Sequence, residues 1–219
     1  MTALRTALQG ALEHGPLNPW AGEIDRLHAF AELLAERAIP MGLVAESDRE
    51  RIVERHMVDS LRAAVLFEPG DRVAVDIGAG AGLPGLVLAI AVGRCRFRLI
   101  EPKKRAAGFL ELAADHLGLT NVDVVTQRIE HVTGRCDLAT ARAFAPPARA
   151  WQAAYGILRP GGRLIYFGGR EWAQAAVKET NEDLLELLAD IAIPEPPAEV
   201  RLEAVIENHA PLVIMGRRE

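Results

Sequence analysis

Cysteine is scarce in this chain of 219 residues, and the two present, Cys95 and Cys136, form no Cys-x-x-Cys pair. A disulfide-stapled secreted fold and a cysteine-ligated zinc site are both excluded by that count and spacing. None of the six histidines stands at ligand spacing from a cysteine or carboxylate, so no resident metal is expected. No apolar run approaches the roughly 18 to 20 residues that span a bilayer. The opening Met1-Thr2-Ala3-Leu4-Arg5 lacks the basic-then-apolar layout of a signal peptide. A cytoplasmic protein that keeps off membranes is expected. There is no internal repeat, and only the short break Pro194-Glu195-Pro196-Pro197 has biased composition. What the chain has in quantity is apolar residues, at 50%, with 25% charged. That is enough to bury a core and too apolar for disorder.

The net charge of −5 is unevenly spread. Residues 1–70 carry −4, residues 71–170 carry +6, and residues 171–219 carry −7. A polyanionic partner would be met by the basic middle, unless those arginines are simply solvated surface.

The first seventy residues read as helical. Leu27, Phe30, Ala31, Leu33 and Leu34 recur at helical spacing, and a second amphipathic stretch runs from Asp48 to Phe67. Glu68-Pro69-Gly70-Asp71 reads as a turn and divides the chain into an N-terminal helical cap, 1–67, and a second region, 68–219. Beyond it strands and helices alternate. Strands are predicted at Arg72–Ile77, Phe97–Ile100, Val122–Val125, Cys136–Thr140 and Arg163–Phe167. Helices are predicted at Pro84–Ala91, Lys103–Leu117, Ala148–Leu158 and Glu171–Ala189. Val200–Ile206 and Leu212–Met215 close the chain as an antiparallel hairpin at the sheet edge. Alternation of this kind gives an α/β sandwich with a mostly parallel sheet.

The strongest local signal is Asp76-Ile77-Gly78-Ala79-Gly80-Ala81-Gly82-Leu83-Pro84-Gly85, where a strand must turn into a helix. Glycines there permit positive φ and let a ligand lie on bare backbone, at the strand ends where open α/β sheets bind ligands. Gly80 to Gly85 also matches the dinucleotide pattern, so a nicotinamide cofactor is one reading. Asp-x-Gly-x-Gly-x-Gly at this position resembles S-adenosylmethionine-dependent methyltransferases, and Asp76 suits a cationic sulfonium better than a pyrophosphate. Glu101, ending the second strand, is placed to accept both hydroxyls of an adenosine ribose under either reading. The seven strands with a closing hairpin also resemble the methyltransferase plan, a Rossmann-like seven-stranded sandwich. After the fourth strand the chain reads Thr140-Ala141-Arg142-Ala143-Phe144-Ala145-Pro146-Pro147, without the Asp or Asn that exocyclic-amine methyltransferases carry there.

Arg55-His56-Met57-Val58-Asp59-Ser60-Leu61, the Asp76–Gly85 loop, Lys104-Arg105 and Ala141-Arg142-Ala143-Phe144 occur in this order. Together, over about residues 54 to 165, they resemble the RsmG (GidB) family, which methylates guanine N7 in small-subunit ribosomal RNA. The resemblance implies S-adenosylmethionine as cofactor, with Gly78 and Leu83 against it, Glu101 on its ribose, Ile129 and Glu130 flanking its adenine, and Arg142 at the pocket mouth. Asp76, Gly80 and Gly82 complete the expected cofactor set. It also implies small-subunit ribosomal RNA, free or in an assembling 30S particle, as substrate; a monomer is expected, though no residue pattern reports the oligomeric state. His56, Asp59 and Ser60 share a helical face, as a wall of the site or as a structural clasp. His56 and Asp59 are catalytic candidates beside Arg142. Lys103, Lys104 and Arg105 open a helix against its dipole, which favours a phosphate-binding role, with Arg170 a further RNA contact. Arg94, Arg96, Arg98, Arg149 and Arg163 are additional phosphate candidates. The rival readings are a methyltransferase of a small molecule or protein, and a nucleotide-binding assembly factor without turnover.

Overall fold

The computed structural model describes residues 3–169, 172, 195–207 and 209–219. Seven strands form one sheet: β1 Val73–Ile77, β2 Arg96–Ile100, β3 Val122–Val125, β4 Cys136–Arg142, β5 Leu158–Phe167, β6 Glu199–Glu203 and β7 Leu212–Gly216. Their order is β3-β2-β1-β4-β5-β7-β6, and β1 to β5 are mutually parallel. β7 runs antiparallel to both its neighbours, β5 and β6. The chain reverses direction across the sheet between β1 and its flanking strands β2 and β4, which leaves a crevice at their carboxyl ends.

Alternate residues of the central strands go to two cores. Ala74, Leu99, Leu138, Ile165, Leu212 and Ile214 point to one face, and Val75, Ile77, Ala139, Leu164, Val213 and Met215 to the other. Both faces are apolar because both are covered, as a parallel sheet requires. Helices α1 Ala3–Leu12, α2 Ile24–Leu33, α4 Gly85–Ala91 and α5 Lys104–His116 cover the first face. Helix α6 Pro147–Tyr155 covers the second with Trp151, which is fully buried.

The N-terminal region is helical as expected, but its second stretch is not one helix. Residues 46–66 run through a 3-10 segment Glu46–Arg51, a π segment Ile52–Val58, one α turn Asp59–Leu61 (α3) and a 3-10 segment Arg62–Leu66. Changes of helical pitch re-aim side chains, and wide turns of this kind recur at functional sites. Among the contacts that pin the region to the sheet layer are two side-chain hydrogen bonds. Trp20 Nε1 donates to the Ala91 carbonyl at 3.0 Å, and Arg62 Nη1 donates to the Ala210 carbonyl at 2.6 Å.

Several strand boundaries differ from expectation, and those of β4 and β5 have a tertiary reason. β5 begins at Leu158 instead of Arg163, because the Gly161 amide donates to Arg218 O and the Arg217 amide to Gly162 O. The chain end thereby draws the Pro-Gly-Gly segment into the sheet, with a register shift between Cys136 and Leu138. β4 continues to Arg142 because Tyr166 and Phe167 pair with Ala141 and Arg142. The edge strand is β6, while β7 lies inside. The helix expected over Glu171–Ala189 lies outside the described residues.

Arg163 is a structural residue at the amino ends of the strands, away from the crevice. It donates from Nη1 and Nη2 to the two oxygens of Asp71, at 3.1 and 2.7 Å, and to Leu66 O at 2.7 Å. Asp71 is 1% exposed, so removing its partner strands a buried charge. Arg163→Ala is expected to lower the unfolding free energy by about 3 kcal/mol in urea titrations. Its intact cofactor binding would separate this role from phosphate binding, and a loss below about 1 kcal/mol would refute the ion pair's importance.

Candidate active site

Past β1 the backbone must reverse sharply to start α4. Gly78, Gly80 and Gly82 have φ of +73°, +55° and +82°, a region that side chains other than glycine's enter only with strain. The Gly78 and Ala79 amides donate to Ile100 O at 2.9 and 3.0 Å, tying the loop across the end of β2. Asp76 lies beneath it, 1% exposed. Its Oδ2 accepts from the Gly85 amide at 2.9 Å and its Oδ1 from the Thr140 hydroxyl at 2.7 Å. Burial pushes this carboxyl up to about 6, against the opposing pull of those two donors and of Arg142. Beside the loop, Glu101 accepts from the Gly80 amide at 3.0 Å and from the Lys103 amide at 2.9 Å. Each of its oxygens keeps a further lone pair.

A cleft of about 380 Å³ opens above the loop. Gly78, Gly80 and Leu83 line one side, and Val44, His56 and Arg142 line the other. Arg142 is held from three directions: Nε donates to Asp59 Oδ2 at 3.1 Å, and Nη2 to Arg55 O at 2.8 Å and His56 Nδ1 at 3.3 Å. A guanidinium has no acceptor, so Nδ1 of His56 accepts and Nε2 carries the proton. Nε2 donates to Asp48 Oδ2 at 3.1 Å, and Arg55 Nη1 donates to Asp48 Oδ1 at 2.9 Å. Burial first, then the Arg142 charge, lowers the His56 pKa, which favours the neutral ring this network needs. Asp59 also accepts from Arg62 Nε at 2.8 Å, and Arg62 is 2% exposed. The Nη1 group of Arg142 has no partner among the described residues, and the residue lines the cleft.

The sequence-derived residues therefore fall into layers. His56, Gly78, Gly80, Leu83 and Arg142 line the cleft. Asp76 is sealed behind the loop, so the expected contact gives way to an action through space and to anchoring of the turn. Gly82 also lies behind, its amide donating to Ala79 O at 2.7 Å. Asp59 reaches the cleft only through Arg142. Ser60 parts from its neighbours, its hydroxyl buried with no hydrogen-bond partner among the described residues. Ile129 and Glu130 line a groove that also takes in Phe144, whose ring rests on Gly78 of the cleft. Lys103, Lys104 and Arg105 are exposed at the start of α5, with no ion pair among the described residues. Arg170 lies outside those residues. Arg94 donates to the Phe67 and Glu68 carbonyls and Arg98 to the Thr133 carbonyl, which leaves both engaged in the fold. Asp48, Arg62 and Thr140 carry the network and were not singled out from sequence; no short-range spacing marks them.

The loop fits an adenosyl sulfonium. A Cβ at Gly80 would meet only the Gly78 carbonyl, 3.8 Å away, so bare backbone faces open space. Glu101 offers diol acceptors, and Asp76 offers a carboxylate behind the loop.

This sheet order with this glycine cradle defines the class, an S-adenosylmethionine-dependent methyltransferase. An S-adenosylmethionine-dependent O-methyltransferase from Thermotoga maritima shares the fold, with a TM-score of 0.53 at 18% identity over 74% of this chain and 65% of that one. The chain belongs to the GidB family, rRNA small subunit methyltransferase G, whose model matches residues 23–195. Ribosomal RNA small subunit methyltransferase G of Mycolicibacterium smegmatis is 38% identical over 181 residues, covering 77% of this chain and 76% of that protein. The protein of the same name from Mycobacterium leprae is 40% identical over 145 residues, covering 64% and 58%.

Because the folded Asp76 carboxyl keeps its proton to higher pH than the unfolded one, stability falls as pH rises from about 4 to about 6. In Asp76→Asn, Oδ1 still accepts from Gly85 and the amide nitrogen faces Thr140. The variant is expected to be more stable at pH 7.5, by about 3 kcal/mol, with no gain at pH 4. Calorimetric titration is expected to show weaker S-adenosylmethionine binding. Equal stability of the two proteins at pH 7.5 would contradict the buried charge.

Proposed function

We propose that this enzyme methylates N7 of a guanine in 16S, small-subunit ribosomal RNA. The observation that carries the reading is the state of the cleft: an anchored cation with unspent donors and, among the described residues, no unengaged base. Asp48 is paired with His56 and Arg55, His56 gives its Nδ1 lone pair to Arg142, and Asp59 is held by two arginines. Guanine N7 suits such a site, because its lone pair is available without loss of a proton.

S-adenosylmethionine supplies an electrophilic methyl group on a positively charged sulfur. Gly78, Gly80 and Leu83 would bear it, Glu101 would hold its ribose, and Ile129 and Glu130 would flank its adenine. The N7 lone pair forms the new N–C bond as the S–C bond breaks, its electron pair going to sulfur and the positive charge to the purine. The chain's part is orientation and electrostatics. Arg142 Nη1 is free to donate to O6, the acceptor beside N7, and so fixes the base edge. Asp59 and neutral His56 hold that guanidinium in place, as positioning residues. Asp76 favours positive charge above the loop.

N7 faces the deep, narrow major groove of paired RNA, so the target sits in a loop or is extruded. Lys103, Lys104 and Arg105, beside the cleft, supply phosphate contacts, and Arg170 is a further candidate. The acidic ends of the chain oppose tight binding to naked RNA and favour the assembling 30S particle as substrate. Residues 1–67 act as a cap that supplies Asp48, His56 and Asp59 to a catalytic region, 68–219. Action as a cytoplasmic monomer is part of the proposal. Among the described residues no group of three or more metal-ligating side chains occurs, and no helix is long and apolar enough to cross a membrane.

Mass spectrometry of nucleosides from small-subunit RNA, with and without the gene, tests the reading. A 7-methylguanosine is expected to disappear on deletion and to return with the wild-type gene. Gly78→Asp, which sets a charged side chain against Phe144, should not restore it, and Arg142→Ala should slow methylation at least about a hundredfold. An unchanged nucleoside profile would sink the proposal.

A further inference from the structure

Arg55 lies on the wall of the cleft that the N-terminal region supplies, in the π segment Ile52–Val58. Both ends of the residue are tied to neighbours that line the same cleft. Its carbonyl accepts from Arg142 Nη2 at 2.8 Å, and its Nη1 donates to Asp48 Oδ1 at 2.9 Å. Asp48 is 6% exposed, and its other oxygen accepts from His56 Nε2 at 3.1 Å. The anchor of Arg55 is therefore a buried carboxylate with both oxygens engaged. The Arg55 side chain is nevertheless 51% exposed, and its Nε and Nη2 groups have no partner among the described residues. Charge is segregated across the cleft. On the loop side, the carboxylates of Asp76 and Glu101 accept from backbone amides and, for Asp76, the Thr140 hydroxyl, with no basic side-chain partner among the described residues. On the opposite side, Arg55, Arg62 and Arg142 against Asp48 and Asp59 leave one net positive charge.

We infer that Arg55 binds the 5′-phosphate of the target guanosine through the two donors it keeps free, beside Arg142. The inference rests on the proposed guanine N7 substrate and extends it to the backbone of that nucleotide. In an anti purine nucleotide the N7 edge lies on the side of the 5′-phosphate, close enough for one cation to touch both. The side chain that meets the phosphate therefore stands next to the one that meets O6, and Arg55 has that relation to Arg142. An extruded base carries its phosphate out of the helical path, so a cation is needed at the cleft itself. Nε and Nη2 form one edge of a guanidinium, the edge that takes two phosphate oxygens as a pair. The bond from Nη1 to Asp48 holds that edge in place before the ligand arrives, which lowers the entropy lost on binding. The segregated charge suits both ligands, with the sulfonium toward the loop-side carboxylates and the phosphate toward the arginines. The competing anion is the carboxylate of the cofactor, and the measurements below separate the two.

The test measures methylation of 30S particles from cells lacking the gene, and S-adenosylhomocysteine binding by calorimetry. Arg55 is among the charges that lower the His56 pKa, so assays at about pH 8 keep that ring neutral in every variant. In Arg55→Gln, whose amide still donates to Asp48, the KM for particles is expected to rise about thirtyfold, with a smaller change in kcat and the S-adenosylhomocysteine Kd within about twofold of wild type. The salt dependence of that KM should lose about one unit of slope, which removal of a purely structural ion pair does not produce. Arg55→Lys, which keeps the charge without the fork, should keep the slope and raise KM less. An unchanged KM and slope in Arg55→Gln overturn the phosphate site. A fall in kcat alone also overturns it, by making Arg55 a support of Asp48 and His56. A parallel loss of S-adenosylhomocysteine affinity overturns it by assigning the guanidinium to the cofactor. Should Arg55→Gln fail to fold, Asp48→Asn/Arg55→Gln, which leaves no buried carboxylate unpaired, carries the same measurements. Failure of the wild-type protein to methylate the particles would instead defeat the proposed function, and the phosphate site with it.

Discussion

The Asp76 carboxylate, closed off beneath the glycine loop, joins three parts of the chain that are distant in sequence. It sits on β1, accepts the Thr140 hydroxyl from β4 and accepts the amide of Gly85 that opens α4. The loop hangs between those attachments, with its first amides on the end of β2. Burial without an arginine partner costs stability, since the carboxyl is pushed up to about 6. Two hydrogen bonds offset part of that cost. What remains is a negative charge stored next to the place where a cation is to be bound, a strain tolerated at functional sites.

The second determinant is the placement of Arg142. It leaves β4 at the point where Ala143 takes a left-handed conformation, and the N-terminal region reaches over the sheet to hold it. Asp59 neutralises one edge, and His56, kept neutral by burial and by the arginine itself, accepts from another. Burial pulls the guanidinium pKa down, with the Asp59 charge acting against it. The change of helical pitch through 52–61 lets His56 and Asp59 meet one guanidinium while Ser60 turns into the core. The N-terminal region thus lines the cleft, and it shares one continuous core with α4, α5 and the sheet.

Much of the architecture was legible because its causes are local. Short continuous apolar runs, buried on both faces, mark strands such as Leu212–Gly216, and glycines at a strand end mark the loop. Boundaries were misjudged where a distant segment decided them, as when Arg217 and Arg218 drew Gly161 and Gly162 into β5. The residues expected to hold the cofactor share one loop or end neighbouring strands, so spacing and residue type point to them. The network around Arg142 was legible only as a motif, because Asp48 and Arg142 meet through contacts that no helical or strand period predicts.

By itself, the sequence determined the parallel α/β plan, the turn that glycine alone allows, and the residue types available for a cationic cofactor. These depend on backbone sterics and on periodic burial, which act over a few residues. Only the tertiary structure decided that Asp76 lies behind the loop, that Asp59 pairs with Arg142, that Arg163 belongs to the fold, and that the Phe144 ring rests on Gly78. Those outcomes depend on which surfaces close over one another, because desolvation and ion pairing are set by neighbours far along the chain.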